Sequence, residues 1–419
     1  MENKIKIGII GLGTVGQGVV KVLSKFDDIE IVAAAVKNIN KKRDVEVKKI
    51  TNDPFDIVND ENIDIVVEVA GGVNIKDALI CAMKNKKHIV TANKELLAKH
   101  GAEICDCARE NKVAILYEAA VAGGIPIIMP IKQSLKANDF TSVAGILNGT
   151  TNYILTKMEE ENLSYDQCLK KAQELGFAET DPTNDVEGFD AMFKIAILAN
   201  IVFNKRIDVS KIYHEGITKI SSLDIQIANE LGYKIKLIAQ AKSVENSEDL
   251  DIRVHPMFVK KENAISEIKN ATNAVQLEGF PVDKVMFVGP GAGEFPTASS
   301  VVGDILSIKS DLNQNKDKVL PITICHHKEY ANQIDIKETT NCYYLRIEAK
   351  NKLGIIGKIG CACGEFGINL SSIVQRGTNE NNATILVLTE KAKEDNILNM
   401  INSLEETQDI KVVNKIRVM

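Results

Sequence analysis

One segment of the chain places a carboxylate and a lysine in largely apolar surroundings. Asp190 and Lys194 are four residues apart in the stretch Gly176–Asn200, so on a helix they share one face. The apolar residues around them predict a buried helix, where a lysine needs an anionic partner or loses its charge through desolvation. Either condition suits a proton-transfer site. An ordinary helix salt bridge is the alternative.

A glycine-rich segment opens the sequence between a predicted strand and a predicted helix. It consists of Gly11, Leu12, Gly13, Thr14, Val15 and Gly16. In this pattern the first glycine permits a tight turn, the second lets the backbone approach a pyrophosphate, and the third allows close helix packing. The helix N-terminus offers unpaired N–H groups to the anion. The flanking elements favour a dinucleotide site over a simple turn.

The residues after the second predicted strand indicate which dinucleotide binds. An NAD-preferring site usually has an acidic residue about twenty residues beyond the glycine motif. Lys37 stands in that region, in a loop that also contains Lys41, Lys42 and Arg43. Cationic side chains can pair with a 2′-phosphate, so the sequence favours NADP(H), with NAD(H) possible. A solvated basic loop is the alternative.

Two further segments follow predicted strands. Lys94 comes just after a short run at 88–91, and the carboxyl end of a strand faces the crevice where ligands bind in open α/β sheets. The glycine-rich bend at 118–126 can expose several backbone carbonyl oxygens, which suit a hard monovalent cation. A surface helix start and a domain hinge are the respective alternatives.

The hydrophobic pattern predicts the elements that position these residues. Over the first 120 residues, short apolar runs alternate with helical patterns of about a dozen residues, which predicts an α/β fold with a Rossmann-type, doubly wound parallel sheet. The last part of the chain has a βαββαβ pattern, typical of a ferredoxin-like module. The predicted divisions are a nucleotide-binding domain at 1–137 completed by a helix around 297–310, an α+β domain at 138–296, a linker at 311–340 and a small domain at 341–419.

Composition excludes several classes of partner. The formal net charge of −6 at pH 7 gives no long-range attraction to nucleic acid or to an anionic membrane. No apolar run approaches the length of a membrane span, and the N-terminus does not resemble a signal peptide. The eight cysteines are scattered without a disulfide framework or a second ligand pair at zinc-site spacing. We therefore expect a cytoplasmic protein.

Six segments, in order, resemble the homoserine dehydrogenase family. They are GLGTVG (11–16), VTANKELLA (90–98), YEAAVAGGIPII (117–128), GILNGTTNYIL (145–155), GFAETDPTNDVEGFDA (176–191) with Lys194, and GPGAGEFPTASSVV (289–302). This resemblance covers the chain from residue 1 to about 310. The remainder resembles an ACT domain, a module that binds amino acids, although Asn351 replaces the usual acid of its first loop.

The resemblance implies the NAD(P)H-dependent interconversion of L-aspartate 4-semialdehyde and L-homoserine, in threonine, methionine and isoleucine biosynthesis. Lys194 would donate and accept the proton on the substrate oxygen. Glu179 and Asp190 would hold the amino end of the substrate. Lys94 would lie at the junction of cofactor and substrate, and two glycines would approach the cofactor through their backbone, namely Gly176 and Gly291.

The resemblance also implies further ligands and partners. The backbone carbonyls of Glu118, Val121, Gly123 and Ile125 would bind a sodium ion. The middle domain would form a homodimer, which ACT pairing could extend to a homotetramer. The ACT domain would bind an amino-acid effector such as L-threonine.

Two alternatives remain open. Another two-domain NAD(P)-dependent amino-acid dehydrogenase or reductase would share the glycine motif but lack the block from Gly176 to Lys194. A non-catalytic metabolite sensor would require a broken site, whereas Lys94, Glu179, Asp190 and Lys194 are all present.

Overall fold

The computed structural model of the chain describes residues 4–314, 327–376 and 382–419. These residues divide into two compact units. The first comprises the described residues up to Gly149 together with those of Asp190–Ser210 and Ala271–Ala331. The second comprises Thr150–Phe189, Lys211–Asn270 and the described part of Asn332–Met419. Residues 315–326, inside the segment predicted as a linker, lie outside the described residues.

The N-terminal part of the first unit alternates strands and helices. It contains β1 (Ile5–Ile10), α1 (Thr14–Leu23), β2 (Ile29–Ala35), β3 (Ile50–Thr51), α2 (Phe55–Val58), β4 (Ile65–Glu68), α3 (Lys76–Lys84), β5 (His88–Thr91), α4 (Lys94–Asn111), β6 (Ile115–Leu116) and α5 (Ile128–Lys132). Its six strands form a parallel sheet in the order β3-β2-β1-β4-β5-β6. The predicted doubly wound sheet is confirmed. Because the strand order reverses between β1 and β4, their carboxyl ends form the ligand crevice of such a sheet.

The middle of the chain contributes to both units. It contains β7 (Asp139–Ile146), α6 (Gly149–Glu161), α7 (Tyr165–Glu174), α8 (Thr183–Val186), α9 (Phe189–Val202), β8 (Tyr213–His214), α10 (Ser222–Glu230), β9 (Tyr233–Ser243), β10 (Leu250–Lys260), β11 (Thr272–Phe280), β12 (Asp283–Pro290) and α11 (Glu294–Gln314). In the first unit, β11 pairs antiparallel with β12 on one side and with β7 on the other.

The helix α11 packs against α1 in the first unit. Gly18 of α1 makes this approach possible, since a Cβ atom there would lie 2.9 Å from the carbonyl oxygen of Glu294. Lys21 and Glu294 form an ion pair of 2.7 Å beside it. Val19, Val301 and Ile305 are fully buried in the shared apolar core.

The C-terminal part has the predicted βαββαβ order, with one additional short strand. Its elements are β13 (Thr340–Lys350), α12 (Ile355–Glu365), β14 (Leu370–Arg376), β15 (Asn382–Thr389), β16 (Ala392–Lys393), α13 (Glu394–Glu405) and β17 (Ile410–Val418). Their core is apolar and includes Tyr343, Leu345, Ile359, Val387 and Ile397. Within the second unit, β17 pairs antiparallel with β13 and parallel with β10. This module therefore shares a sheet with β10.

The buried helix that carries Asp190 and Lys194 starts later than the hydrophobic pattern predicts. The pattern at 185–203 predicts a continuous helix, but the structure has α8 and α9 separated at Gly188, whose φ is +87°. A left-handed residue interrupts the helical hydrogen bonds. As a result α9 begins at Phe189, and Asp190 lies in its first turn, where the helix dipole favours a carboxylate.

Candidate active site

The structure brings Asp190 and Lys194 into contact on α9. The Nζ atom of Lys194 donates to Oδ2 of Asp190 and to the backbone carbonyl of Leu147, at 2.7 Å in both cases. Asp190 and Lys194 are only 4% and 7% exposed. Both groups are therefore removed from water. In such a buried environment a charge pair interacts more strongly than at a surface.

A second lysine reaches the same carboxylate. Lys94 is the first residue of α4, whose N-terminus is capped by the side chain of Asn93 accepting from the N–H of Leu96. Its Nζ lies 2.5 Å from Oδ1 of Asp190, and its side chain is 42% exposed. Lys94 thus extends from the carboxyl end of β5 to the buried carboxylate while part of it remains open to solvent.

The carboxylate of Asp190 faces two ammonium groups. Burial alone would raise the pKa of Asp190, but the charges and hydrogen bonds of Lys194 and Lys94 hold that pKa well below its usual range. The aspartate is therefore an anion at neutral pH. A cluster of two cations and one anion presents net positive charge, which stabilises negative charge developing on a nearby oxygen.

Asn148 is a site residue that the sequence analysis did not single out. Its Nδ2 donates to Oδ2 of Asp190 at 2.8 Å, and the side chain is buried. Leu147, which accepts from Lys194, precedes it and directly follows β7. A signal was available, because both residues lie in the segment 145–155 that carries the family resemblance.

The glycine motif after β1 forms a turn with an open face. A Cβ atom at Gly11 would lie 2.7 Å from the backbone nitrogen of Ala70, and one at Gly16 would lie 2.1 Å from the carbonyl oxygen of Gly11. Apart from its chain neighbours, Gly13 has no heavy atom of a described residue within 4 Å of its Cβ position, and as a glycine at the N-cap of α1 (Thr14–Leu23) it provides no side-chain cap. This exposed backbone and helix N-terminus fit the diphosphate of a dinucleotide.

The two apolar residues of the motif point inward. Leu12 is buried in the core, and Val15 packs against the same core. Any contact that these two residues make with a dinucleotide therefore comes from their backbone. Their side chains instead fix the turn to the sheet.

The basic loop after β2 is organised by Arg43. Its guanidinium donates to the carbonyls of Lys41 and Asn38, at 2.7 and 2.8 Å. Lys37, Lys41 and Lys42 are exposed. Arg43 thus shapes the loop, while the lysines remain accessible to an anionic ligand.

Glu68 is a second residue that the sequence analysis did not single out. It ends β4, is fully buried, and accepts hydrogen bonds from the N–H groups of Ala70 and Gly71 and from the hydroxyl of Thr91. Burial raises the pKa of Glu68. Its hydrogen bonds hold the turn after β4 against the strand that leads to Lys94.

The carboxylate of Glu118 ties the bend at 118–126 to the residues that follow it. It accepts from the N–H groups of Ile127, Ile128 and Met129, at 2.5, 2.7 and 2.7 Å, and so holds the start of α5. The carbonyl of Gly123 accepts from the hydroxyl of Ser300 at 2.7 Å. Val121 and Ile125 are buried. Within the described ranges, no cluster of three His, Cys, Asp or Glu side chains could hold a metal, so a cation here would depend on backbone carbonyls.

Gly291 lies in a tightly packed position next to this bend. A Cβ atom at Gly291 would lie 2.1 Å from Cγ of Asn273, and one at Gly123 would lie 2.5 Å from the carbonyl oxygen of Gly291. Asn273 is fully buried, and neither polar atom of its amide has a hydrogen-bond partner among the described residues. Only glycine at positions 123 and 291 allows the bend, the segment of Gly291 and the strand that carries Asn273 to approach so closely.

The remaining predicted residues belong to the second unit. Gly176 follows α7 with φ +76°, and apart from its chain neighbours no heavy atom of the described ranges lies within 4 Å of its Cβ position. Glu179 is exposed, and its backbone carbonyl accepts from Nε2 of Gln173 at 3.1 Å. The structure thus places Lys94, Asp190 and Lys194 together in the first unit.

Three family models match the chain. The model described as the NAD-binding domain of homoserine dehydrogenase matches residues 11–118. The model described as homoserine dehydrogenase matches residues 126–306. The model of the ACT domain matches residues 343–408. No helix in the described part of the chain is long and apolar enough to cross a membrane.

The full length of the chain is similar to curated and solved proteins. A homoserine dehydrogenase from Synechocystis sp. is 42% identical over 435 residues, with 99% of each chain covered. A homoserine dehydrogenase from Bacillus subtilis is 38% identical, with 97% of each chain covered. The crystal structure of a homoserine dehydrogenase from Thiobacillus denitrificans superposes with a TM-score of 0.93 at 35% identity, covering 99% of this chain and 98% of that one.

Proposed function

We propose that this chain, which belongs to the homoserine dehydrogenase family, uses Lys194 to move the proton of its reaction. The protein is an NAD(P)-dependent oxidoreductase that acts on a CH–OH group and interconverts L-homoserine and L-aspartate 4-semialdehyde. Burial of Lys194 beside a carboxylate is the observation that carries the proposal.

Lys194 carries the proton in both directions of the reaction. A bound nicotinamide would supply or accept the hydride. In the reductive direction, the ammonium of Lys194 gives its proton to the aldehyde oxygen as negative charge develops there. In the oxidative direction, the neutral amine of Lys194 takes the proton of the alcohol. Asp190 holds the lysine in place through the 2.7 Å contact.

Asp190 acts in this scheme as the counter-ion of both lysines. The sequence analysis assigned it a share in binding the substrate's amino group, but its oxygens already face Lys194, Asn148 and Lys94. We therefore assign the ammonium group of the substrate to Glu179, which is exposed. Lys94 adds positive charge where cofactor and substrate meet.

The proposed cofactor is NADP(H). The exposed lysines of the loop after β2, together with the absence of an acid at 36–43, favour a 2′-phosphate. NAD(H) remains the alternative cofactor.

A sodium ion is also proposed at the bend of residues 118–126, since neutral carbonyl oxygens suit a hard cation. The test of this sodium site measures activity and thermal stability as a function of sodium concentration, with potassium and lithium as comparisons.

Regulation by an amino acid is proposed for the ACT domain. The motivation is that such modules bind amino acids and that this one shares a sheet with β10. L-threonine is the first effector to test, in keeping with a role in threonine, methionine and isoleucine biosynthesis. A homodimer or homotetramer is expected, and light scattering after size-exclusion chromatography measures it.

The decisive experiment compares the wild type with Lys194→Ala in the oxidation of L-homoserine. We expect kcat/KM to fall about 100-fold or more, with affinity for NADPH retained. Lys136→Ala, at an exposed position of the same unit, is the matched control. If the wild type did not oxidise homoserine, the proposed substrate would be wrong. If Lys194→Ala kept wild-type activity, Lys194 would not be the proton carrier.

A further inference from the structure

A cavity of about 360 Å³ lies within the second unit beside β17, the last strand of the ACT module. One side is formed by Asn414 and Lys415 of β17. Glu187, His214 and Lys219, which come from outside that module, also line the cavity. Its volume is within the range of about 300–1,000 Å³ of small-molecule sites. None of these residues has a part in the proposed hydride or proton transfer.

The charges around the cavity are of two kinds. Lys415 contacts the carboxylate of Glu394, and Glu215 accepts from Nη1 of Arg417 at 3.1 Å, so these groups are paired within the protein. For Glu187 and Lys219, by contrast, the described part of the chain records no ion pair. The backbone carbonyl of Lys219 accepts from Nδ2 of Asn414 at 3.3 Å. Among the described residues, the cavity therefore presents one carboxylate and one ammonium without an ion-pair partner.

The remaining wall is partly apolar. Ile220, Pro256, Ile401 and Val412 line it. Ile220 is buried, and Val412 is half-buried. Such a wall accommodates a short aliphatic side chain.

We propose that this cavity binds a small L-α-amino acid with an aliphatic or β-hydroxylated side chain. The carboxylate of Glu187 pairs with the ammonium of the ligand, and the ammonium of Lys219 pairs with its carboxylate. The apolar wall receives the side chain. This inference rests on the proposed amino-acid regulation and gives it a site between β17 and the segment before α9, away from the first loop of the ACT module at Asn351.

The position of the cavity explains how a ligand there changes catalysis. Glu187 is three residues before Asp190 in the sequence. The ring of His214 packs against Phe189, the first residue of α9, with centroids 4.4 Å apart. The N–H of Ile217 donates to the carbonyl of Val186 at 2.8 Å. A ligand held between Glu187 and Lys219 therefore acts on the start of the helix that carries Asp190 and Lys194, which couples the two sites.

The test measures inhibition of homoserine oxidation and calorimetric binding with L-threonine, L-isoleucine, L-valine and L-methionine as probes. The variants are Glu187→Gln and Lys219→Met, each at an unchanged side-chain size. Glu262→Gln and Lys211→Met, both at exposed positions of the same unit, are the matched controls. Asn351→Ala tests the first loop of the ACT module.

We expect one probe to inhibit the wild type and both cavity variants to raise its half-inhibitory concentration about tenfold or more, with kcat without effector unchanged. The controls and Asn351→Ala should respond like the wild type. If Asn351→Ala abolishes inhibition while the cavity variants do not, the cavity is not the site although the regulation stands. If no probe inhibits or binds the wild type, the regulation fails and the site with it.

Discussion

The Nζ atom of Lys194 lies 2.7 Å from Oδ2 of Asp190, one turn earlier on the same helix. Because both residues belong to α9, the helix itself sets their separation. The second lysine, Lys94, reaches the other oxygen of the carboxylate from the end of a different element. The carboxylate thus orients two ammonium groups that come from different parts of the first unit.

Replacing Asp190 with asparagine should remove activity and stability together. Two ammonium groups would remain near each other without a counter-ion, and breaking a buried pair in this way costs about 3–5 kcal/mol. We expect kcat/KM to fall about 100-fold or more. Steady-state kinetics and thermal unfolding measure the two effects, with the exposed Asp181→Asn as control. Wild-type kinetics in Asp190→Asn would show that the lysines need no counter-ion.

The glycine motif offers two substitutions, one expected to weaken cofactor binding and the other to lower stability. Gly13 has φ −80° and an open Cβ position, so Gly13→Ala should fold normally but weaken NADPH binding about tenfold, since the methyl group occupies the space for the diphosphate. Gly16→Ala should instead lower the free energy of unfolding by about 1–3 kcal/mol, because its Cβ would lie 2.1 Å from the carbonyl oxygen of Gly11. Fluorescence titration and urea unfolding separate the two. Unchanged NADPH affinity in Gly13→Ala would place the diphosphate elsewhere.

Charge reversal at Lys37 should change cofactor preference. A glutamate there would repel a 2′-phosphate and could accept from the ribose hydroxyls of NAD. We expect the KM for NADP in Lys37→Glu to rise about tenfold while that for NAD stays within about threefold. Lys25→Glu, at an exposed position of the same unit, controls for net charge. Equal effects on both cofactors would contradict a 2′-phosphate contact at Lys37.

Asp304 should make stability depend on pH. It is 3% exposed and accepts from the N–H of Glu118 at 2.9 Å, and burial raises its pKa well above the ordinary value. The folded protein then keeps this proton to a higher pH than the unfolded chain does, so the stabilisation present at low pH is lost as pH rises through the folded pKa. Each unit of raised pKa corresponds to about 1.4 kcal/mol.

The variant Asp304→Asn keeps an acceptor but cannot ionise. The free energy of unfolding of this variant, relative to that of the wild type, should therefore increase by about 1 kcal/mol or more between pH 4.5 and pH 8. Urea unfolding across that range measures it, with Asp139→Asn, at an exposed strand start, as control. A difference that stays constant with pH would mean that Asp304 does not hold its proton.

The sequence predicts those features that depend on local spacing. Asp190 and Lys194 share a helix face because they are four residues apart, and the parallel sheet follows from the alternation of short apolar runs with helices. The contact of Lys94 with Asp190 depends on tertiary packing between α4 and α9, which periodicity does not contain. The resemblance to a family placed both lysines in one site, but it did not supply their common counter-ion.

Other features required the backbone itself. The break at Gly188 is absent from the hydrophobic pattern, because apolar residues continue on both sides of it. The roles of Asn148 and Glu68 depend on hydrogen bonds to groups distant in sequence. Likewise, the pairing of β17 with β10 joins two segments whose separate patterns each predict only a strand.

That pairing also has a consequence for synthesis of the chain. β10 ends at Lys260 and β17 begins at Ile410, so the ribosome makes β10 well before its neighbour. At about 5–20 residues per second, the delay is on the order of ten seconds. During that time Met257 and Phe258, the residues of β10 that pair with β17, lack their partner and leave part of a strand edge open to other chains and to chaperones, whereas Arg253 and Val254 on the same edge pair with the earlier strand β8. The sheet of the second unit is thus completed late in translation, and a polypeptide that stops before β17 exposes this part of the β10 edge to quality control.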